Sequence, residues 1–209
     1  MQDLPAVYRI ILRLPMLTYS KLTIASSDKS ISLPIATQTS PIQHLFMNHS
    51  CKFNELSEVL SYTPELRHLS FMESHKNHVA IETILPSIPI HLILLHIHVA
   101  HVTFDRLEMF IRQLPTKLKV LKFSTSLEDL AYMDAYRWER FLQQDLPQLK
   151  KFSFEYHERN NKHQFNIDFR EINPFFSSFW LQRRYTFEIQ AECEHIVYSV
   201  RPRHHRPIK

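Results

Sequence analysis

The sequence predicts an α/β chain of stacked units, with parallel strands along one side, helices or loops along the other, and a β-rich end. Three observations predict it. A stretch led by proline and ending in apolar residues at i, i+3 and i+5 recurs along most of the chain. Amphipathic helical stripes precede most of these stretches. After Tyr156 the pattern changes to alternation with period two, the mark of strands with one buried face.

The elements follow in order. "LPAVYRIILRLP" sets Leu4, Val7 and Ile11 on one side of a helix, and "YSKLTI" adds a weak triplet, Tyr19, Leu22 and Ile24. "ASSDKSISLPIATQTSP" has little helical period and predicts loop or a single turn. "IQHLFM" supplies Ile42, Leu45 and Met47 without a proline. "FNELSEVLSYTPELRHLSF" holds a whole unit. Phe53, Leu56 and Leu60 form a helical stripe, Pro64 stops the helix, and Leu66, Leu69 and Phe71 carry the strand inward. "ESHKNHVAIETILPSIP" allows only a brief helix before Pro86. Pro89 then leads to Leu92, Leu95 and Ile97. The stripe Phe104, Leu107, Ile111 precedes Pro115 with Leu118, Leu121 and Phe123. After the loop "TSLEDLAYM", Ala135, Trp138 and Leu142 precede Pro147 with Leu149, Phe152 and Phe154. Asn54, Thr103 and Asp134 sit where caps would start three of the helices.

The triplets begin at 19, 42, 66, 92, 118 and 149, so successive units are 23, 24, 26, 26 and 31 residues apart. A spacing of roughly 20–29 with an L-x-x-L-x-L strand is the leucine-rich-repeat signature. The inserted loop accounts for the long last interval. One such unit cannot bury its own apolar side, whereas stacked neighbours bury it jointly. The expected fold is a curved α/β leucine-rich-repeat solenoid over 1–156, with parallel strands on the concave face and helices or loops on the convex face.

Past a polar linker, "ERNNKH", the stretches "QFNIDF", "RRYTFEIQ" and "HIVYSV" read as strands of a β-rich C-terminal cap, 157–200. "NPFFSSFW" anchors it through Phe175, Phe176, Phe179 and Trp180; a ligand groove lined by these rings is the alternative. Residues 201–209 read as a basic flexible tail.

Composition narrows function. The chain has no glycine in 209 residues. That removes the P-loop, the G-x-G-x-x-G dinucleotide turn and the G-x-S-x-G nucleophile elbow together, since each needs backbone that only glycine supplies. Two cysteines, Cys51 and Cys193, fit a reducing compartment, so the expected location is cytoplasmic or nuclear. No apolar run approaches the ~18 residues of a membrane span. A net charge of +4 permits an acidic partner without requiring nucleic acid.

Alternation within each strand picks out the residues left on the concave face. They are His44 and Phe46; His68, Ser70 and Met72; His96 and His98; Lys122; and Lys151. The same reading sets Lys21 beside His44, and Asn48 beside Met72. This face suits a protein partner with acidic character, and its imidazoles predict binding that tightens as pH falls through ~6.5. No H-E-x-x-H or Cys/His zinc spacing accompanies the histidines, so neither metal nor cofactor is expected. His49 and His195 lie two positions from Cys51 and Cys193, which does not make a dyad. No catalytic residue is expected; a glycine-free cysteine hydrolase is the enzymatic alternative.

"FNELSEVLSYTPELRHLSF" resembles the repeats of leucine-rich F-box-type proteins, in which a helix, P-x-L-x-x-L-x-L and a strand recur. "SSFWLQRRYTFEIQ" followed by "HIVYSVRP" is similar to an invertebrate expansion of such proteins. The resemblance covers roughly residues 1–200, over the repeats and not an F-box. It implies the substrate-recognition part of a cullin-type ubiquitin ligase. A Skp1-type adaptor would be a partner only through an F-box upstream of these repeats. A stand-alone interaction or inhibitor protein is the alternative.

Overall fold

The computed structural model describes residues 4–24, 31–34, 38–73, 89–114, 117–126, 129–159, 173–191 and 195–203. Among them are five helices and eight strands. They run α1 (Leu4–Ile11), β1 (Tyr19–Thr23), β2 (His44–Ser50), α2 (Phe53–Tyr62), β3 (His68–Glu73), β4 (Leu94–Val99), α3 (Phe104–Arg112) and β5 (Val120–Thr125). A 3-10 turn at Leu130–Met133 leads to α4 (Ala135–Gln144) and β6 (Lys151–Arg159). A second at Asn173–Phe176 leads to α5 (Ser178–Gln182), β7 (Tyr185–Ala191) and β8 (His195–Pro202). All eight strands form one open sheet in the order β1-β2-β3-β4-β5-β6-β8-β7. The first six are parallel; β8 lies antiparallel on β6, and β7 antiparallel on β8.

Register shows why the triplets recur. Leu45, Leu69, Leu95, Leu121 and Phe152 pair across neighbouring strands, and all five are fully buried. Two residues on, Phe71, Ile97, Phe123 and Phe154 form a second buried row, which Val200 continues on β8. The helices pack on this side. Phe53 and Phe110 meet Phe71, and Trp138 meets Phe152 and Phe154.

A backbone device repeats with the strands. The Thr18 carbonyl accepts from both Gln43 and His44 N–H, at 2.8 and 3.0 Å. The Gln43 carbonyl does the same for Arg67 and His68, Arg67 for Ile93 and Leu94, Ile93 for Lys119 and Val120, and Lys119 for Lys150 and Lys151. Each strand therefore starts on a carbonyl just ahead of the preceding strand.

That ladder corrects the first unit. Thr18 is equivalent to Gln43, so the triplet is Leu17, Ser20 and Leu22 rather than Tyr19, Leu22 and Ile24. Ser20 pairs with Leu45 and Lys21 with Phe46, not with His44. A serine in the leucine column hides the unit from its spacing. β2 also bulges. After Phe46 pairs with Ser70, the next partner of Met72 is Ser50, so Asn48 is not beside it.

The helix ends depart from expectation as well. The residue capping the start of α2 is Lys52 rather than Asn54, with the Glu55 carboxylate accepting from Lys52 N–H at 3.0 Å. Thr103 precedes α3 but makes no cap bond with its side chain. Asp129, from the next unit, accepts from Phe104 N–H at 2.9 Å and from Ala131 N–H at 3.0 Å. Asp134 caps α4 as its position predicts. α1 buries Leu4 and Tyr8, while Val7 and Ile11 are only half-buried.

The prolines do more than stop helices. Pro64 and Pro147 are the second residues of turns closed by Leu66 N–H on Thr63 and Leu149 N–H on Leu146. Proline's fixed φ suits that position. Pro89 is instead the first residue of its turn, accepting from Leu92 N–H. Pro86, Pro115 and the expected strand "QFNIDF" lie outside the described residues.

At the far end, Phe175, Phe179 and Trp180 join the core, while Phe176 is exposed. The Tyr185 hydroxyl accepts from buried Phe152 N–H at 3.1 Å. β6 and β8 run past the boundaries expected at 156 and 200. Arg184 joins α5 to β7 at φ 58°, a left-handed conformation that glycine would adopt without strain. Two outcomes follow. Leu95→Ala removes a fully buried column member and should cost ~2–5 kcal/mol in urea unfolding. Arg184→Gly should leave stability unchanged or raise it by up to ~1 kcal/mol in the same measurement.

Candidate functional site on the open face of the sheet

Since the described helices pack on the leucine side, the alternate residues of each strand lie on a face that no described helix covers. Register orders them in rows. The first runs Tyr19, His44, His68, Leu94, Val120 and Lys151. The second runs Lys21, Phe46, Ser70, His96, Lys122 and Ser153. The third begins at Met72 and continues through His98, Ser124 and Glu155 to Ser199 and Glu188 on the antiparallel strands. Every residue expected on this face from β2 to β6 is in these rows except Asn48, which the bulge in β2 leaves beside Thr23 of β1 and not beside Met72. His96, Lys122 and Lys151 are exposed; His44, Phe46, His68, Met72 and His98 are half-buried; Ser70 is buried.

Two parts of the face differ in chemistry. Around β1–β3 it is aromatic. Tyr19 is 54% exposed, with its ring 5.4 Å from Phe46 and 6.3 Å from His44, and His44 meets His68 edge-on at 4.4 Å. Sequence reasoning missed Tyr19, which the slipped register had turned inward. Around β5–β6 the face is charged. Glu155 is held by Arg201 at 2.6 Å and by His157 at 3.6 Å. Arg201, expected in a flexible tail, belongs to β8.

The imidazoles are tied to their neighbours. His44 and His68 face each other through Nδ1 at 2.9 Å, so one nitrogen carries the hydrogen and the other accepts it. Ser70 Oγ lies 3.3 Å from His96 Nδ1, and Ser124 Oγ 2.8 Å from His98 Nδ1. Burial lowers the pKa of His68, helped by the charges of His44 and Arg67. Although His96 is exposed overall, partial desolvation of its ring lowers it too, with Lys122 and His98 adding to it; burial lowers His98, with His157 adding to it; Glu155 opposes both shifts. These three groups gain charge below the ~6.5 expected from sequence.

The leucine side holds a second group of titratable residues. His49 Nδ1 donates to the Ser50 carbonyl at 3.0 Å, so Nε2 accepts from the buried Tyr8 hydroxyl at 2.7 Å. Both imidazole nitrogens are thus committed away from Cys51. The Cys51 thiol points to the Lys52 carbonyl at 3.6 Å, and burial with Glu55, Glu73 and Glu58 nearby pushes its pKa up. That is the reverse of what a thiolate nucleophile needs. Cys193 lies outside the described residues. Glu73 ends β3 with Oε2 buried and unpartnered, and its pKa is pushed up to about 7 by burial, against the pull of Arg106.

Among the described residues no three His, Cys, Asp or Glu side chains converge as a metal-binding group. No helix among them is long and apolar enough to cross a membrane. A cavity of about 480 Å³ beside α1, lined by Leu12, Arg13, Leu14, Pro15, Gln38, Thr39 and Pro41, holds no carboxylate, imidazole or thiol. No protein-family model, curated protein or solved structure matches the chain.

Two titrations check this electrostatic picture. In an NMR titration the ring protons of His68, His96 and His98 should each show a midpoint below 6.5. Glu73 gains a proton on folding, so its contribution is complete below about pH 4.5 and is lost as pH rises through about 7. Glu73→Gln should therefore stabilise the chain by ~1–3 kcal/mol at pH 8 and change little at pH 4.

Proposed function

We propose that the chain is a non-enzymatic protein-binding module, a leucine-rich-repeat solenoid whose concave face grips a protein partner. The observation that carries this reading is the unbroken leucine column from Leu45 to Phe152 with the alternate residues of the same strands left uncovered. A core made only by stacking fixes each strand's inner residues and leaves the outer ones free to vary with the partner. The repeated two-on-one backbone bond supports the stacking, because it gives every unit the same offset. In this reading β7, β8 and α5 form the cap. They cover Phe152 and Phe154 with Trp180, Tyr185 and Val200, the last layer that would otherwise meet water.

Resemblance of the repeats to F-box-type proteins makes substrate recognition for a cullin-type ligase the first assembly to test, with a Skp1-type adaptor joined through an F-box upstream. A stand-alone interaction or inhibitor module uses the same face without the adaptor. At Cys51 the enzymatic alternative is disfavoured by the committed nitrogens of His49 and the raised thiol.

Affinity capture from cell extract with surface variants tests the reading. Phe46→Asp and His68→Asp should abolish capture of the partner, and Met109→Ser and Tyr136→Ser on exposed helix positions should leave it unchanged. The opposite pattern would overturn the concave-face assignment. A Skp1-type adaptor in the captured set supports the ligase assembly; a partner held without the adaptor supports the stand-alone module.

A further inference from the structure

The open face has an aromatic end and a cationic end, and the distance between them is set by the sheet. Tyr19, Phe46, His44 and His68 form one continuous ring cluster over β1–β3. Three strands beyond Phe46, Lys122 projects from β5, and Lys151 lies beside it on β6, two residues before Ser153, the partner of Lys122. Both lysines are exposed, and among the described residues neither has an ion-pair partner. The nearby carboxylate that could have neutralised them, Glu155, is already taken by Arg201 and His157. Between the two ends the floor is Ser70 and His96 in one row and half-buried Leu94 and Val120 in the other. That floor offers no further fixed charge; the other exposed lysine of the second row, Lys21, lies beside Phe46 at the aromatic end.

Resting on the reading above, we propose that the face selects an extended peptide segment carrying an aromatic or large apolar residue and, about four positions away, an acidic residue. Three strand steps of ~4.8 Å separate Phe46 from Lys122, or ~14 Å, which extended chain spans in about four residues. The apolar side chain covers Tyr19 and Phe46, whose exposed ring area supplies affinity. The carboxylate meets Lys122 and Lys151, which set register and exclude basic segments. A nucleic acid is the poorer fit. Three exposed lysines, Lys21, Lys122 and Lys151, cannot follow a phosphate at every nucleotide, and Glu188 stands on the adjoining row.

Direct binding of labelled peptides to the full chain tests this. The probes are ten-residue Ser/Thr peptides with one Phe and one Glu separated by one to eight positions. Fluorescence anisotropy at low salt should show affinity peaking at separations of three to five and falling about tenfold at one and at eight. Lys122→Glu with Lys151→Glu, both exposed and so not expected to unfold the chain, should lose the Phe/Glu peptides and gain the matching Phe/Lys peptides. Unchanged circular dichroism confirms the fold, and Lys122→Gln with Lys151→Gln should abolish the preference, leaving both peptide sets bound weakly and alike.

Equal affinity at every separation, or charge reversal without a change of preference, overturns the proposal. So does tighter binding of a single-stranded oligonucleotide of equal length. These outcomes leave the concave-face reading standing if Phe46→Asp still abolishes capture of the partner. If helix-side variants abolish capture instead, the reading itself fails.

Discussion

Each parallel strand depends on its neighbour for two things at once, apolar burial and backbone partners. Leu95 is buried because Leu69 and Leu121 flank it in register, and the strand starts on the Arg67 carbonyl because β3 presents it there. Burying a leucine is worth about 1.5–3 kcal/mol, so a slip of one residue at β4 would exchange Leu95 and Ile97 for His96 and His98. The core would then receive two imidazoles and the open face a leucine and an isoleucine. That penalty holds the register, and the register in turn places every open-face side chain. The geometry of the open face follows from the packing of the opposite one.

How much of this the sequence disclosed depends on whether the signal was apolar. Units led by Ile42, Leu66, Leu92, Leu118 and Leu149 were legible because their inward residues are large. The first unit was misaligned because its column residue is Ser20, at an edge where only one neighbouring strand demands bulk. Polar connections were invisible for another reason: they join residues far apart in sequence. Asp129 satisfies the start of α3 from 25 positions away. Arg137 on α4 reaches Asp105 and Glu108 on α3 while its guanidinium lies 4.3 Å over the Phe104 ring. No local pattern marks such pairs. The open face was legible as a set of residues, but its aromatic end was not, since Tyr19 joins it only once the first unit is correctly registered.

A chain without glycine must turn by other means. Here proline fixes φ in the turns before β3 and β6, and carboxylates satisfy helix starts that a glycine-rich loop would expose to water. Only at Arg184, among the described residues, does a side chain occupy backbone that favours glycine. Turns built this way are stiffer than glycine turns, because proline removes freedom from the unfolded chain as well. Stiff connections hold the strand side chains at fixed spacing, and they are poorly suited to loops that must wrap phosphate.

The two sides of the sheet also titrate against each other. Glu73, held neutral on the leucine side, favours folding less as pH rises through about 7. His68, His96 and His98, held neutral on the open side, favour folding less as pH falls below ~6.5. Just below ~6.5 these contributions have opposite slopes and partly cancel. The charge of the open face does not cancel, because the imidazoles protonate on one side and the carboxylate on the other. The charge that the open face gains in acid therefore comes in part from His68, His96 and His98, whereas the pH dependence of the fold is shared between those imidazoles and Glu73 and His49 on the leucine side.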